Sequence, residues 1–145
     1  MKTVALRFSD NFAPDIGTIS AHNEVISQYG YVWYGKLGSV VSQKVINDIL
    51  KTDNPKILLI HSGKADRYWA YIEKIQHEMP GKKQIPDYYR DNAGIFKTWF
   101  KVVRIENAPS NVLSRCKVAS SNRSLTEVSK SSMSPYFIIN VEEEI

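Results

Sequence analysis

The sequence lacks several features that would place it in a specialised class of protein. It contains one cysteine, Cys116, in 145 residues, so no internal disulfide can form, which fits a reducing compartment. Its apolar runs, such as residues 57–60, are far too short to cross a bilayer. No signal peptide is visible, because polar residues follow the first strand before any long apolar stretch. We therefore expect a soluble, cytoplasmic protein with no membrane partner.

Side chains at the spacing of a metal or catalytic site are also scarce. His22, His61 and His77 are scattered, with no cysteine or carboxylate in a recognisable ligand arrangement. Residues 62–64, Ser-Gly-Lys, resemble a fragment of a phosphate loop, but the other glycines and the following helix are missing. One alternative stays open, a catalytic pair in which Cys116 is the nucleophile and a histidine activates it. We predict no metal, no cofactor and no catalysis by the domain itself.

The composition is typical of one small globular domain that is basic and rich in aromatic residues. Hydrophobic residues make up 43% and charged residues 23%, which is typical of a soluble core-forming chain, and residues 1–145 fit a single domain. The net charge is +4. The eight tyrosines, five phenylalanines and three tryptophans often stand next to lysine or arginine. Rings beside cations suit the stacking of bases next to phosphates, so nucleic acid is the predicted partner.

Hydrophobic periodicity predicts the order of the elements. Residues 56–75 form an antiparallel hairpin, and residues 79–94 form a long connection, of a length that is usually functional or mobile. Ser124 and Glu127 have the spacing of a capping box that starts a short helix. The pattern indicates an α+β fold, a small, curved, mostly antiparallel β-barrel with two or three peripheral helices. The predicted strands are residues 3–8, 31–34, 56–61, 67–75, 98–105 and 136–141, and the longer helices are residues 18–29 and 41–50.

Three aromatic clusters are the candidate ligand site: residues 31–36, 86–90 and 98–101. Rings from these segments could enclose a planar base, and a glycine turn could read the edge of an extruded base through its backbone. The predicted base-binding cage is Trp33, Tyr34, Tyr88, Tyr89 and Trp99, with Gly35 and Ser62 at the pocket edge. The cations that we expect to contact phosphates are Lys36, Lys64, Arg90, Arg115, Lys117 and Arg123.

The order of short motifs between residues 23 and 130 resembles the YTH domain and its relatives in the EVE branch of the PUA-like superfamily. In that family a Val-Trp step ends a strand, a Ser-Gly loop and a strand with a central acidic residue follow, and a Trp-x-x-Val strand comes after an aromatic loop. The corresponding segments here are Val32-Trp33, residues 56–63, residues 70–73 and residues 99–102. The family then has a Pro-Asn/Ser turn and a polar Asn-Ser-Arg segment that leads into a short helix, and residues 109–111 and 121–128 resemble these.

This resemblance implies a function, although the sequence departs from the family pattern in its cage residues. Family members read methylated bases, and prokaryotic relatives flip a modified base out of DNA as specificity domains of modification-dependent restriction enzymes. Trp33 would then form the first cage wall, with the backbone near Tyr34 bonding the base edge. The family's second cage tryptophan is absent here, and Tyr88 or Tyr89 takes its place.

The resemblance therefore favours a reader of a modified base, with DNA preferred over RNA, attached to or associated with a nuclease or NTPase. The acidic end at residues 142–145 suggests a domain excised from a larger protein. Two alternatives stay open. One is a PUA-like hydrolase that acts on RNA or on a modified nucleoside, and the other is a module that binds a protein through its aromatic surface.

Overall fold

The computed structural model describes residues 1–142. The strands are β1 (Lys2–Phe8), β2 (Val32–Lys36), β3 (Lys56–His61), β4 (Arg67–Gln76), β5 (Thr98–Asn107), β6 (Cys116–Val118) and β7 (Tyr136–Val141). The α-helices are α1 (Thr18–Tyr29), α2 (Gln43–Leu50) and α3 (Leu125–Ser131). Short 3₁₀ helices span Lys82–Gln84, Asp87–Ile95 and Val112–Arg115. The periodicity placed most of these elements correctly, but it missed β6 and the 3₁₀ helices of the long connection.

Local sequence explains where the helices begin and end. α1 ends at Gly30, whose φ of 87° is left-handed and whose N–H donates to the carbonyl of Ile26. The hydroxyl of Ser42 accepts from the N–H of Val45 and caps α2. Ser124 caps α3 by accepting from the N–H of Thr126, so the predicted helix start is confirmed.

All seven strands join one sheet in the order β2-β5-β4-β3-β1-β7-β6. Within residues 1–142, only β1 and β3 pair in parallel, and α1, β2 and α2 lie between them in the chain; the other five pairs are antiparallel. The predicted hairpin of β3 with β4 is confirmed, with Lys56 opposite Tyr71. The mixed helix and strand content confirms the α+β class and the mostly antiparallel sheet.

The sheet is covered on both faces. One face packs against α1 and α2 around side chains such as Leu6, Tyr34 and Phe100, all at most 5% exposed. The opposite face carries a second apolar cluster, including Leu58, Trp69 and Leu125, next to β6 and α3. Trp69 therefore fills the core. Burial of this apolar surface on both faces is the main source of stability for a sheet of this kind.

The predicted closed barrel is wrong. Within residues 1–142, β2 and β6 are the two edges of the sheet and do not pair with each other. Register shifts in the β4–β5 pairing near Ile72 are the kind of irregularity that bends a sheet. The curvature brings β2 towards β7, but only side chains meet there: the ammonium of Lys36 lies 4.3 Å from the ring centre of Tyr136. The sheet stays open at this point.

Two further observations bear on the expectations from sequence. Every helix within residues 1–142 is too short or too polar to cross a bilayer. Residues 143–145, on which the expectation of a longer protein partly rests, lie outside the described residues.

Candidate functional site

A cavity of about 590 Å³ opens where the sheet fails to close. It lies between the end of β1, the end of β2, the loop before α1 and the Asp87–Ile95 3₁₀ helix, and the start of β7 completes it. We call it the tyrosine cavity, because its aromatic wall is mostly tyrosine. Its rings are Phe8, Phe12, Tyr34, Tyr88, Tyr89, Phe96 and Tyr136.

The rings along one side of the tyrosine cavity support each other. Tyr88 and Tyr89 meet edge to face, with centroids 4.9 Å apart and planes at 78°. The ring centroid of Tyr89 lies 4.8 Å from that of Phe96. Behind this wall the imidazole of His22 lies 5.0 Å from Tyr34 and 5.3 Å from Tyr89. Such contacts fix the rings, so the wall is largely formed before any ligand arrives.

Gly35 allows Phe96 to lie directly against β2. A Cβ built at Gly35 would stand 2.6 Å from Cγ of Phe96, far inside normal contact distance. Glycine is therefore required by close packing at this position, and its φ is not in the left-handed region. Both residues line the tyrosine cavity. Gly35 thus shapes the pocket edge by admitting a ring.

The tyrosine hydroxyls of the wall are neutral at physiological pH. Burial raises the pKa of Tyr34 and Tyr89 far above the ordinary value, and neighbouring tyrosines add to the effect. Burial also raises the pKa of Tyr88, although its hydrogen bonds to Thr18 and Tyr89 work in the opposite direction. Neutral phenols can donate or accept a hydrogen bond, so these walls suit a neutral planar ligand with polar edges.

Lys36 is the only one of the six predicted phosphate contacts that lines the tyrosine cavity. The residue is 6% exposed, and its ammonium donates to the carbonyl oxygens of Leu37 at 3.0 Å and Ser39 at 2.6 Å. Burial lowers its pKa. With two donors engaged and the Tyr136 ring beneath it, this side chain shapes the wall where β2 approaches β7.

Trp33 and Trp99 lie outside the tyrosine cavity. Trp33 on β2 and Trp99 on β5 share the sheet face opposite Tyr34, where they pack with three residues of the long connection; we call this group the indole cluster. Trp33 is 8% exposed and Trp99 is fully buried. The members of the indole cluster are Trp33, Ile85, Tyr89, Ala93 and Trp99. The structure thus brings Tyr34, Tyr88 and Tyr89 together at one cavity and separates both tryptophans from it.

The remaining predicted residues are dispersed. Ser62 donates its N–H to the carbonyl of Phe8 and does not line the cavity. Arg90 pairs with Asp87 at 3.2 Å and borders a second groove of about 550 Å³ between α1 and the long connection. Arg123 lies 3.7 Å from Glu127 on α3. Arg115 and Lys117 lie at the β6 edge, and Lys64 lies in the β3–β4 turn.

The loop between β1 and α1 forms a rim that sequence reasoning did not single out. Oδ1 of Asp10 accepts from the N–H of Thr18 at 2.9 Å, and Oδ2 lies 3.0 Å from Nε2 of His61. The other ring nitrogen of His61 lies 3.2 Å from Asp66, and its face stacks on Phe8 at 4.7 Å. The Thr18 hydrogen bond is the main reason why the pKa of Asp10 is lowered. Both nitrogens of this histidine therefore face carboxylates instead of the cavity.

Further cavity residues come from parts of the chain that are remote in sequence. Arg7, Phe12, Phe96 and Tyr136 line the cavity but belong to four different segments. The guanidinium of Arg7 donates to the carbonyl of Ser129 and lies 5.5 Å from the centre of the Phe137 ring. The pairing of β1 with β7 brings Arg7 and Tyr136 together, and Phe96 reaches the cavity through its contact with Gly35 on β2. No local sequence signal identifies them.

The environment of Cys116, the candidate nucleophile, does not favour a reactive thiol. Cys116 is fully buried, its thiol contacts the carbonyl of Val112 at 3.3 Å, and burial raises its pKa to about 11. A thiol in this state is mostly protonated at neutral pH. In the part of the chain that the structure describes, no group of three His, Cys, Asp or Glu residues is arranged to hold a metal ion.

Fold and site together define an α+β domain whose curved, open sheet frames a ring-lined cavity. The family model described as Pua-like matches residues 4–138, so the chain belongs to the Pua-like family. No curated protein gives a significant match to the chain, and no solved structure does.

Proposed function

We propose that this protein binds nucleic acid and takes up a single base, preferentially a modified one, in the tyrosine cavity, without chemistry of its own. PUA-like domains generally bind nucleic acids, which supports the choice of partner. The observation that carries the proposal is the cavity of about 590 Å³ with rings on several sides. This volume is within the range of pockets that enclose a small organic ligand.

Stacking supplies most of the expected binding energy. Each base that stacks on an aromatic side chain contributes about 1–3 kcal/mol. Tyr88 and Tyr89 stand nearly perpendicular to each other, so a base that lies on one ring meets the edge of the other. The neutral hydroxyls of the wall can bond to the polar edge of the base, as can the side chain of Asn92 at the same cavity.

A preference for a modified base follows from the apolar part of the wall. Leu6, Ile95 and Pro135 line the cavity together with the rings. Burial of one methyl group contributes about 0.8 kcal/mol, or roughly fourfold in affinity. A larger preference requires that an unmodified base leave a gap or an unpaired group in the site, at a cost of about 1–3 kcal/mol.

The finer assignment is to a reader of the YTH or EVE kind that works with a modification-dependent restriction activity on DNA. In this assignment the cage uses Tyr34, Tyr88 and Tyr89 in place of the tryptophans of the family pattern. Support for binding without catalysis comes from the state of the candidate groups. The phenols have raised pKa values, and the thiol of Cys116 is buried and protonated.

The test compares matched oligonucleotides that carry 5-methylcytosine, 5-hydroxymethylcytosine, N6-methyladenine or no modification. We expect one modified oligonucleotide to bind more tightly than the unmodified one. Tyr88→Ala should remove most of this preference. The readout is the ratio of two dissociation constants, measured by fluorescence anisotropy. Tyr88 is half-buried and lines the cavity, so the substitution alters the wall more than the core.

Trp33→Phe is the matched control, because it keeps an aromatic ring in the indole cluster and leaves the cavity lining unchanged. It should retain the preference. A chain that binds every oligonucleotide equally, modified or not, contradicts base reading. If Trp33→Phe loses the preference while Tyr88→Ala keeps it, the base is held on the indole side of β2.

A further inference from the structure

The rim of the tyrosine cavity exposes an unusual amount of apolar surface. Phe12 lines the cavity and yet is 89% exposed. Leu37, after β2, and Ile95, at the end of the 3₁₀ helix, also line it and are 55% and 54% exposed. These three side chains come from three separate segments. A single exposed apolar residue needs no explanation, but a group of them around the mouth of one cavity marks a contact surface.

The loop that carries Phe12 is anchored on both sides of the ring. Before it, Oδ2 of Asp10 lies 3.0 Å from His61 on β3, and the carbonyl of Asp10 accepts from the N–H of Ala13 at 3.1 Å. After it, the N–H of Thr18 at the start of α1 donates to Oδ1 of Asp10. The exposed ring is thus carried on a short turn that is tied to β3 and α1.

We propose that Phe12 enters the base stack of duplex DNA at the position left by the base that the tyrosine cavity takes up. This inference rests on the proposed function and names duplex, rather than single-stranded, nucleic acid as the substrate. A base inside a duplex cannot reach a cavity unless it leaves the stack. Apolar side chains that insert between base steps offset the lost stacking and hold the helix open.

The geometry around the cavity agrees with this role. A base that leaves the stack and the ring that replaces it must be close together, and Phe12 lies at the mouth of the same cavity. Leu37 and Ile95 would contact the neighbouring nucleotides on the other sides of the mouth. In a single strand the base does not have to leave a duplex stack, so there is no gap that an inserted ring would fill.

The experiment measures binding of Phe12→Ala to one modified sequence in three forms: single strand, matched duplex, and duplex with a mismatch opposite the modified base. The probes carry N6-methyladenine or 5-methylcytosine, whichever the wild type binds more tightly. We expect Phe12→Ala to weaken binding of the matched duplex about tenfold and that of the single strand less than about twofold. The mismatch should restore part of the loss, because extrusion of a mismatched base costs less. Phe12→Trp should retain duplex binding.

Met79→Ala is the control, because Met79 is 49% exposed and lines neither cavity; it should leave all three affinities unchanged. Equal losses on single strand and duplex, or no rescue by the mismatch, would overturn insertion of Phe12. Wild-type binding of the modified single strand without duplex binding would also overturn it and leave the proposed function standing. No binding of any modified probe would refute both. Thermal unfolding of Phe12→Ala verifies that the fold is kept.

Discussion

The two faces of β2 carry similar aromatic side chains but contribute to different regions of the molecule. Trp33 and Tyr34 are neighbours in sequence and are almost equally buried, at 8% and 5% exposure. Trp33 meets closely packed side chains in the indole cluster, whereas Tyr34 borders an open volume of about 590 Å³. Burial alone therefore does not distinguish a core ring from the wall of a binding site. The space opposite the ring makes the distinction.

The two regions are joined through the long connection. Tyr89 belongs to the indole cluster and also lines the tyrosine cavity, and Phe96 packs 5.2 Å from Trp99 while it lines the same cavity. The indole cluster thus supports the cavity wall from behind. This division of roles predicts that substitutions in the cluster act mainly on stability and that substitutions in the wall act mainly on binding.

The largest expected effect comes from removal of the most buried indole. Trp99→Ala should lower the free energy of unfolding by about 3–5 kcal/mol, because it leaves a large void in a fully buried site. Urea denaturation measures this change. At a temperature where the variant remains folded, its preference between modified and plain oligonucleotides should stay close to that of the wild type. A stable variant that has lost the preference would place the indole itself in the base-binding site.

A second prediction concerns His22, which lies behind the wall of the tyrosine cavity. The side chain is fully buried, Nδ1 bonds to the carbonyl of Thr18 at 2.8 Å, and burial lowers its pKa from 6.5 to about 4. The folded state therefore keeps the neutral ring where the unfolded chain takes up a proton. Its stability contribution is present above pH 6.5 and is lost as the pH falls towards 4, in total about 3 kcal/mol.

His22→Phe tests this contribution, because it keeps a ring next to Tyr34 and Tyr89 and removes the titration. The free energy of unfolding of the variant should change less between pH 6.5 and pH 4 than that of the wild type. The lowered pKa of Asp10 adds its own loss of stability as the pH approaches 4, but wild type and variant both carry Asp10, so the difference between them reports His22. Parallel stability curves for variant and wild type would show that His22 is not protected from protonation.

The sequence predicted local structure well because periodicity and capping are local properties. The bounds of α1, β3 and β7 agree with those expected, and Ser124 caps α3. Closure of the sheet is a property of the whole chain, and the barrel prediction was wrong for that reason. No pattern within β2 indicates that its far neighbour β7 would approach through Lys36 and Tyr136 without forming a ladder.

The candidate site was predictable only in part for a similar reason. Alternation along β2 requires that Trp33 and Tyr34 face opposite sides, but it does not say which side is open. The long connection decides this, because its 3₁₀ helices close over Trp33 and leave Tyr34 at the cavity. Phe12 and Tyr136 reach the cavity from opposite ends of the sequence. Their role depends on the β1–β7 pairing, which composition and spacing do not specify.

The smallest of the three effects comes from Gly35, where β2 contacts both regions. Gly35→Ala should cost about 1–3 kcal/mol, since its Cβ would stand 2.6 Å from Cγ of Phe96 and the ring must move. Because Phe96 also lines the tyrosine cavity, ligand affinity should fall in the same variant. Phe96→Leu in the Gly35→Ala background should recover part of the stability, and a double-mutant cycle measures this coupling.

Gly81→Ala is the matched control for this cycle. Gly81 has a φ of −61°, and a Cβ there would meet no atom within 4 Å, so the change should stay within about 0.5 kcal/mol. A Gly35→Ala protein as stable as this control would mean that Phe96 moves aside without cost. In that case the aromatic wall would be adjustable, and recognition of a base could not depend on a ring held fixed against β2.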